Sequence, residues 1–257
     1  MDVAKYNSQA WDHEVEIGNI WTQPVSSETI AKARQGIWEI VLTPTKPVPK
    51  SWFRAPGNSV LGLACGGGQQ GPVLAAAGYE VTILDNSEKQ LAGDRLVAER
   101  EGLNIRTVRG DMRDLSMFGD EHFDLIVHPV SNVFVESVLP VWKEAYRVLK
   151  KGGALLSGFE NPVIFIFDWE AMDAGRLVVN KSVPYSPLES LSSQEREDLV
   201  RKNETLEFGH TLEDQIKGQI DAGFVLTGFY EDIGGDGNVL DRHIASFAAT
   251  RAEKWSR

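Results

Sequence analysis

Residues 60–71 read VLGLACGGGQQG, and this stretch decides the fold of the 257-residue chain. An apolar run ends abruptly in a sequence dominated by glycine. That pattern is typical of a buried strand entering a turn, where missing side chains let the backbone come close to a ligand. The first question is therefore which ligand this turn approaches.

Strand and helix patterns alternate around this turn, from residue 58 to about residue 160. We predict strands at 59–64, 80–85, 104–111, 122–129 and within 149–159, and helices at 69–77, before Gly102 and at 138–149. Apolar strands alternating with helices predict an α/β fold with a parallel sheet covered on both faces. Since such sheets bind ligands at the carboxyl ends of their strands, we expect Cys65–Gly68, Asp85, Asp111 and His128 along one edge.

The C-terminal part follows a different pattern. Thr211 and Asp214 predict the start of a helix that ends at Gly223. Residues 224–232 and 242–250 are predicted as two strands joined by a long turn with the sequence IGGDGN. This hairpin implies one antiparallel strand in a mostly parallel sheet.

Two segments lie outside the alternating pattern. Residues 1–55 contain four tryptophans and end in a proline-rich stretch, so we interpret them as an N-terminal cap or lid. Residues 56–250 form the predicted main domain. Within it, residues 160–209 are too long for an ordinary connection and predict a cover or insertion, with a helix at 195–202.

Composition narrows the class of function. The 37 acidic and 26 basic residues give a net charge of −11, which argues against a nucleic-acid partner. The single cysteine, Cys65, excludes an internal disulfide and a cysteine-rich zinc site, and no metal is expected. We find neither a leader nor a membrane-length apolar stretch, so we expect a cytoplasmic protein with a small-molecule partner and no sign of an oligomer.

Two ligands use glycine turns of this kind. Gly66, Gly68 and Gly71 form a literal G-x-G-x-x-G, which a dinucleotide could use for its pyrophosphate. S-adenosylmethionine instead places its amino-acid end there, and Asp85 would suit the ribose of either ligand. The register favours S-adenosylmethionine. In the dinucleotide pattern the first glycine follows the strand almost at once, but here Gly62 takes that place and Gly66 comes only four residues later. The resulting frame, G-x-A-C-G-G-G, is close to an E/D-x-G-x-G-x-G pattern.

The chain resembles the class I S-adenosylmethionine-dependent methyltransferases of the small-molecule, type 11-like group. The resemblance rests on VLGLACGGG, VTILDNS, RGDMRDL, FDLIVHPVSN, YRVLKKGGALLSGF and the closing AGFVLTGFYED with HIASFAATR, in the expected order over about residues 58–250. The flanking sequences resemble an uncharacterised bacterial subgroup. The resemblance implies a Rossmann-like, doubly wound sheet of seven strands with an antiparallel strand in the C-terminal hairpin.

The resemblance also implies roles for individual residues. Those expected to shape the pocket for the methionine end are Gly62, Cys65, Gly66 and Gly68. Asp85 would accept the ribose hydroxyls and Asn86 would lie beside the adenine, whose amino group Asp111 would bind while Met112 packs near the ring. In this frame the family's usual acid before the first glycine would fall at Val60, so another group must orient the methionine amino group.

Several of these residues also have simpler interpretations. Asp85 could cap a helix and Asp111 could be a turn residue. His128 would lie near the cofactor's sulfonium and the acceptor, and His128 and His210 are the candidates for proton handling because histidine titrates near neutral pH, but either could be structural. Tyr6 could close over the cofactor or simply anchor the N-terminus.

The predicted reaction is methyl transfer to a small, partly apolar acceptor by in-line displacement. For such a reaction the protein mainly aligns the reacting atoms, and a base is needed only when the acceptor is protonated. Two alternatives remain: a non-catalytic S-adenosylmethionine-binding protein, and a nicotinamide-dependent oxidoreductase. The second lacks a recognisable hydride-transfer site.

Overall fold

A seven-stranded sheet forms the centre of the computed structural model, which describes residues 1–235 and 237–255. The strands in chain order are β1 (Ser59–Leu63), β2 (Glu80–Asp85), β3 (Ile105–Arg109), β4 (Phe123–His128), β5 (Leu149–Glu160), β6 (Val225–Asp232) and β7 (Phe247–Glu253). They lie in the order β3-β2-β1-β4-β5-β7-β6. Strands β1 to β5 are parallel, whereas β7 is antiparallel to both β5 and β6. The predicted fold class is therefore confirmed.

Helices cover both faces of the sheet. In chain order they are α1 (Val3–Ile17), α2 (Ser27–Arg34), α3 (Gln70–Ala76), α4 (Glu88–Glu101), α5 (Leu139–Val148), α6 (Trp169–Asp173), α7 (Pro187–Ser190), α8 (Ser193–Lys202) and α9 (Gly218–Ala222). The predicted helices at 69–77, before Gly102, at 138–149 and at 195–202 correspond to α3, α4, α5 and α8. The bounds of α3, α5 and α8 differ from the prediction by at most two residues, and α4 ends at Glu101, directly before Gly102.

Two hydrophobic cores hold the layers together. On one face, Ile30, Leu74 and Leu91 of α2, α3 and α4 pack with Ile83 of β2. On the other face, Trp142 of α5 packs with alternate strand residues. Because side chains of a strand point to opposite faces in turn, the apolar strands fill both cores at once. This packing fixes where the carboxyl ends of the strands lie.

The helix before the C-terminal hairpin begins as predicted. The Thr211 hydroxyl accepts the amide of Asp214 at 3.0 Å and donates to its carboxylate at 2.9 Å. The first turn, Glu213–Lys217, is π-helical and leaves Gln215 buried. The helix ends at Gly223, which has φ +112°. An unusual turn of this type often marks a functional position.

The predicted bounds of the last strand are wrong. We expected a strand at 242–250, but β7 starts at Phe247 because Val239–Arg242 forms a 3-10 helix. The connection from β6 is thus longer than the predicted turn IGGDGN. Asp236, in the middle of that turn, lies outside the described residues.

The N-terminal segment contains a helix that the sequence patterns did not reveal. The Asp2 carboxylate caps α1 by accepting the amide of Lys5, and Gly18 ends the helix with φ +77°. These two residues were the available signal. Within residues 1–235 and 237–255, none of the helices combines the length and apolar character needed to cross a membrane.

Candidate functional site

The turn after β1, residues 64–68, forms a tight loop that we call the glycine loop. Ala64 has φ +47°, and Gly67 and Gly68 have φ +101° and +72°, so backbone in the left-handed region begins at Ala64. Gly62 instead lies inside β1, paired with Ile83. The predicted frame is therefore wrong by two residues, because Ala64 occupies the first turn-glycine position. The acid position falls on Gly62 rather than on Val60.

Asp85 joins this loop to the end of β2. The residue is 9% exposed, and its carboxylate accepts the amide of Gly66 at 3.0 Å on one oxygen and that of Ser87 at 2.9 Å on the other. Burial raises the pKa of Asp85, and these amide hydrogen bonds oppose the rise. Each oxygen keeps a further acceptor position, which suits a ligand with two neighbouring hydroxyl groups.

The glycine loop also packs closely on α4. A Cβ atom at Gly66 would lie 2.7 Å from Cβ of Gln90, and one at Gly68 would lie 2.7 Å from the carbonyl oxygen of Gly93. The amide of Gly67 donates to the Gln90 carbonyl at 2.9 Å. Side chains at these positions would push the loop away from α4, so glycine is required for this approach.

Cys65 lies buried in the same loop. Burial raises its pKa well above the ordinary value, and the charges of Asp94 and Asp85 add to this effect. A thiol in such surroundings is a poor nucleophile. Its contribution is a small apolar side chain in the loop.

The residues predicted to flank an adenine lie at the neighbouring strand ends. The amide of Gly110 donates to the Asp85 carbonyl at 3.0 Å, which brings the start of the β3 loop beside Asp85. The Asp111 carboxylate binds the guanidinium of Arg113, the shortest contact being 2.7 Å, and Arg113 also pairs with Glu136. Met112 is buried in the core.

Asn86 is tied to the N-terminal helix. Its side chain donates to the carbonyl of Ala4 at 3.3 Å, and its own carbonyl accepts the hydroxyl of Ser8 at 2.8 Å. Asn7 donates to the carbonyls of Phe134 and Leu206, each at 3.0 Å. Helix α1 therefore crosses the edge of the sheet beside the predicted cofactor residues.

The chain after α1 continues over the glycine loop. The amide of Val25 donates to the carbonyl of Gly68 at 3.0 Å, and the side chain of Gln69 donates to the carbonyls of Ile20 and Gln23, both at 3.1 Å. Tyr6 donates to the carbonyl of Glu204 at 2.8 Å, so its hydroxyl is directed to the cover segment. Residues 1–25 thus contact the sheet edge, the glycine loop and the cover.

His128, at the end of β4, is completely buried. Its Nδ1 lies 2.8 Å from the carbonyl oxygen of Leu63 and its Nε2 lies 2.6 Å from the side chain of Asn132. Asn132 in turn donates to Gln215 at 2.9 Å. Burial lowers the pKa of His128, and the hydrogen bonds to Leu63 and Asn132 oppose this effect. Both ring nitrogens therefore belong to a buried polar chain under the sheet edge.

His210 contacts the same group of hydrogen-bonded residues through Asn132. Its Nε2 lies 2.9 Å from the backbone oxygen of Asn132, and burial lowers its pKa despite hydrogen bonds to the backbone of Asn132 and Val135. His210 also lines a cavity of about 230 Å³ beside the start of α5. The cavity combines apolar and acidic walls, contributed among others by Val138, Tyr185, Phe208, Glu136, Glu189 and Asp214.

The structure brings most of the predicted residues to one edge. Asp85, Asn86, Gly66 and Gly68 are linked directly or through a neighbour, and His128 and His210 both contact Asn132. Sequence reasoning missed Asn132, although it ends the quoted stretch FDLIVHPVSN, and Gln215, which belongs to no motif. It also missed Asp94, a buried acid on α4. The available signal was an acidic residue among the apolar positions of the helix that face the core.

Comparison with known proteins places the chain among methyltransferases. Residues 61–157 match the family model described as "Methyltransferase domain". Over 250 residues, 97% of each chain, the sequence is 61% identical to a Bacillus subtilis (strain 168) protein described as the uncharacterized methyltransferase YbaJ.

Solved structures share the fold. A Mesorhizobium loti S-adenosylmethionine-dependent methyltransferase aligns with a TM-score of 0.61 at 20% identity, covering 79% of this chain and 94% of that one. A Burkholderia thailandensis 1,6-didemethyltoxoflavin-N1-methyltransferase, solved with bound 1,6-didemethyltoxoflavin and S-adenosylhomocysteine, also gives a TM-score of 0.61. The identity there is 12%, with coverage of 98% of this chain and 89% of that one.

Proposed function

Because this chain belongs to the class I S-adenosylmethionine-dependent methyltransferases, we propose that it transfers a methyl group to a small, partly apolar acceptor by in-line displacement. The observation that carries the proposal is the direct hydrogen bond between the Gly66 amide and Asp85. It brings a loop without side chains and a carboxylate to one edge of the sheet. That combination suits a nucleoside carrying an amino acid.

The residues present fit S-adenosylmethionine. Gly66 and Gly68 have no room for a Cβ on the side facing α4, so the loop lies directly against that helix. We propose that the backbone of the loop, free of side chains, binds the methionine end of the cofactor. We assign the ribose hydroxyls to the remaining acceptor positions of Asp85, and the adenine to the neighbourhood of Asn86, Asp111 and Met112. When bound, the cofactor supplies a methyl group on a positively charged sulfur, which needs no further activation.

The remaining task of the chain is to hold and align the acceptor. We propose the cavity beside α5 as the acceptor site, because its apolar and polar walls match a small, partly apolar molecule. His210 lines this cavity, and Asn132 and His128 connect it to the Leu63 carbonyl at the end of β1. The cavity is thereby linked to the strand that leads into the glycine loop.

The walls of this cavity also favour some acceptors over others. Glu136, Glu189 and Asp214 would repel a carboxylate and would favour the protonated, non-nucleophilic form of an alkylamine, so a nucleophile that is neutral at pH 7 fits better. His128 and His210 are both held by hydrogen bonds and have lowered pKa values. We therefore propose that proton removal is not the main contribution of the protein and that alignment is.

Two measurements test this proposal. Isothermal titration should detect binding of S-adenosylmethionine and S-adenosylhomocysteine but not NAD; binding of NAD alone would overturn it. Transfer of isotope-labelled methyl groups should then be screened over amines, phenols, thiols and carboxylic acids. Turnover with a small acceptor that is neutral at pH 7 is expected. Cofactor binding without turnover on any class would instead support a non-catalytic binding protein.

A further inference from the structure

Asp94, on α4, is a completely buried carboxylate next to the glycine loop. Among the residues that the structure describes, neither of its oxygens has a hydrogen-bond partner of good geometry. Burial raises its pKa to about 8; the nearby amides of Gly68 and Gly67 oppose this rise and the charge of Asp85 adds to it. An unpaired buried carboxylate is costly, and groups of this kind concentrate at functional sites.

Its position relates it to the missing acid of β1. A Cβ at Gly71 would lie 2.9 Å from an oxygen of Asp94 and 2.7 Å from Cδ1 of Ile83. A Cβ at Gly62 would lie 2.5 Å from that same Cδ1. Positions 62 and 71 therefore flank one methyl group, with the Asp94 carboxylate beside it. The carboxylate therefore lies on α4 beneath the glycine loop, beside the Ile83 side chain that a side chain at position 62 would also meet.

Few other charges face Asp94. The charge of Asp85 on β2 raises its pKa, Cys65 lies in the glycine loop, and Arg95 on α4 itself lowers its pKa. Helix α3 and residues 20–25 pack on the same loop and contain no titratable side chain. Within the described ranges, Asp94 thus lacks a cation in hydrogen-bond contact, and a ligand cation could supply the missing charge.

We propose that Asp94 is a positioning residue for the cofactor: it supplies beneath the glycine loop the carboxylate that β1 lacks at position 62, and the ammonium group of the bound cofactor favours the charged form of this carboxylate. This inference rests on the proposed function, because it requires S-adenosylmethionine on the glycine loop. A positive charge across the loop favours the charged carboxylate, which then attracts the loop amides. Binding of the cofactor must therefore release a proton.

Proton release can be measured without relying on activity. Titration of S-adenosylmethionine into the full-length protein at pH 7, in buffers of different ionisation enthalpy, gives the number of protons released. We expect about one proton per cofactor at pH 7 and few at pH 9.5, with affinity rising roughly tenfold per pH unit between 6 and 7.5. The variant Asp94→Asn should release almost none and show a flatter profile, whereas Glu99→Gln, exposed on the same helix, should match the wild type.

Each outcome decides the inference. Wild-type binding without proton release would overturn it, and this measurement needs no variant. Equal proton release by Asp94→Asn and wild type would also overturn it, since the proton would then come from Asp85 or the ligand. Should Asp94→Asn fail to fold, Asp94→Ser replaces it. Failure of the wild type to bind S-adenosylmethionine would instead defeat the proposed function itself.

Discussion

The amide of Gly66 donates to the carboxylate of Asp85 at 3.0 Å, which joins the ends of β1 and β2 across the candidate cofactor site. The two residues are nineteen positions apart in the sequence, and the parallel pairing of β1 with β2 brings them together. This contact fixes the direction of the carboxylate before any ligand binds. Preorganisation of this kind lowers the cost of binding.

The first prediction concerns Asp85 itself. The substitution Asp85→Ala should weaken S-adenosylhomocysteine binding by one to two powers of ten, because charge-assisted hydrogen bonds contribute about 1.5–3 kcal/mol. Isothermal titration gives the affinity. Asp114→Ala removes an exposed carboxylate from the same edge and should leave the affinity within a factor of about two. Unchanged affinity in Asp85→Ala would exclude the ribose role.

The second prediction separates a ligand role of Asp111 from its ion pair with Arg113. If Asp111 accepts the adenine amino group, Asp111→Asn should lose roughly tenfold in affinity for S-adenosylhomocysteine. It should lose little for the analogue in which oxygen replaces that amino group. A double-mutant cycle of protein and ligand measures the difference. Equal losses for both ligands would mean that Asp111 only holds Arg113 in place.

Much of this architecture could be predicted from the sequence, because its signals are local. The apolar strands, the glycine turn and the cap at Thr211 each depend on neighbouring residues. The start of β7 could not be predicted, because Ile244 and Ala245 extend the apolar pattern of the strand but lie in an irregular turn that follows the 3-10 helix Val239–Arg242. The frame error at Gly62 arose because alanine, not glycine, takes the first left-handed position of the loop.

The candidate site was only partly predictable for a related reason. Asp85 follows a strand in a recognisable motif, whereas Asn7 and Asn132 act through partners far away in the sequence. Their pairing depends on how the N-terminal helix and the cover pack, which no local pattern encodes. The hydrogen bonds from His128 through Asn132 to Gln215 form only because the fold brings the end of β4 next to the π-helical turn.

The third prediction tests the lid that we propose for residues 1–55, through its first helix α1. The Asn7 side chain makes three hydrogen bonds, two to Leu206 and one to Phe134. Asn7→Ala should weaken the docking of α1 by about 2–4 kcal/mol and raise the cofactor dissociation rate at least tenfold. Stopped-flow tryptophan fluorescence measures that rate. The exposed Asn104→Ala serves as control, and an unchanged rate in Asn7→Ala would contradict the lid.

The fourth prediction concerns Glu160, at the end of β5. Burial, followed by the charge of Glu207, raises its pKa to about 8. Folded Glu160 therefore keeps a proton that the unfolded chain loses above about pH 4.5, so the free energy of unfolding falls as pH rises from about 4.5 to 8. In the wild type this residue should lower the free energy of unfolding by about 1 kcal/mol per pH unit between pH 5 and 7, and Glu160→Gln should abolish that contribution.

Urea unfolding at pH 4, 6 and 8 measures this effect. Glu160→Gln should be more stable than wild type at pH 8 and similar to it at pH 4, while Glu170→Gln, exposed on α6, should follow the wild-type curve. A parallel offset at all three pH values would mean that Glu160 carries no excess proton in the folded protein.

The last prediction addresses His128, a sequence candidate for proton handling. Its two nitrogens contact Leu63 and Asn132, and burial lowers its pKa. The unfolded chain takes up a proton at this residue below about pH 6.5, whereas the folded protein resists it, so stability is lost as pH falls. His128→Gln should cost about 2–4 kcal/mol at pH 8 through lost packing and hydrogen bonds, and should lose less further stability by pH 5.5 than wild type does.

Because neither ring nitrogen is available to an acceptor, the pH profile of methyl transfer should keep its shape in this variant, with His13→Gln as control. Loss of the acidic limb of that profile in His128→Gln alone would identify His128 as the proton acceptor and contradict a structural role.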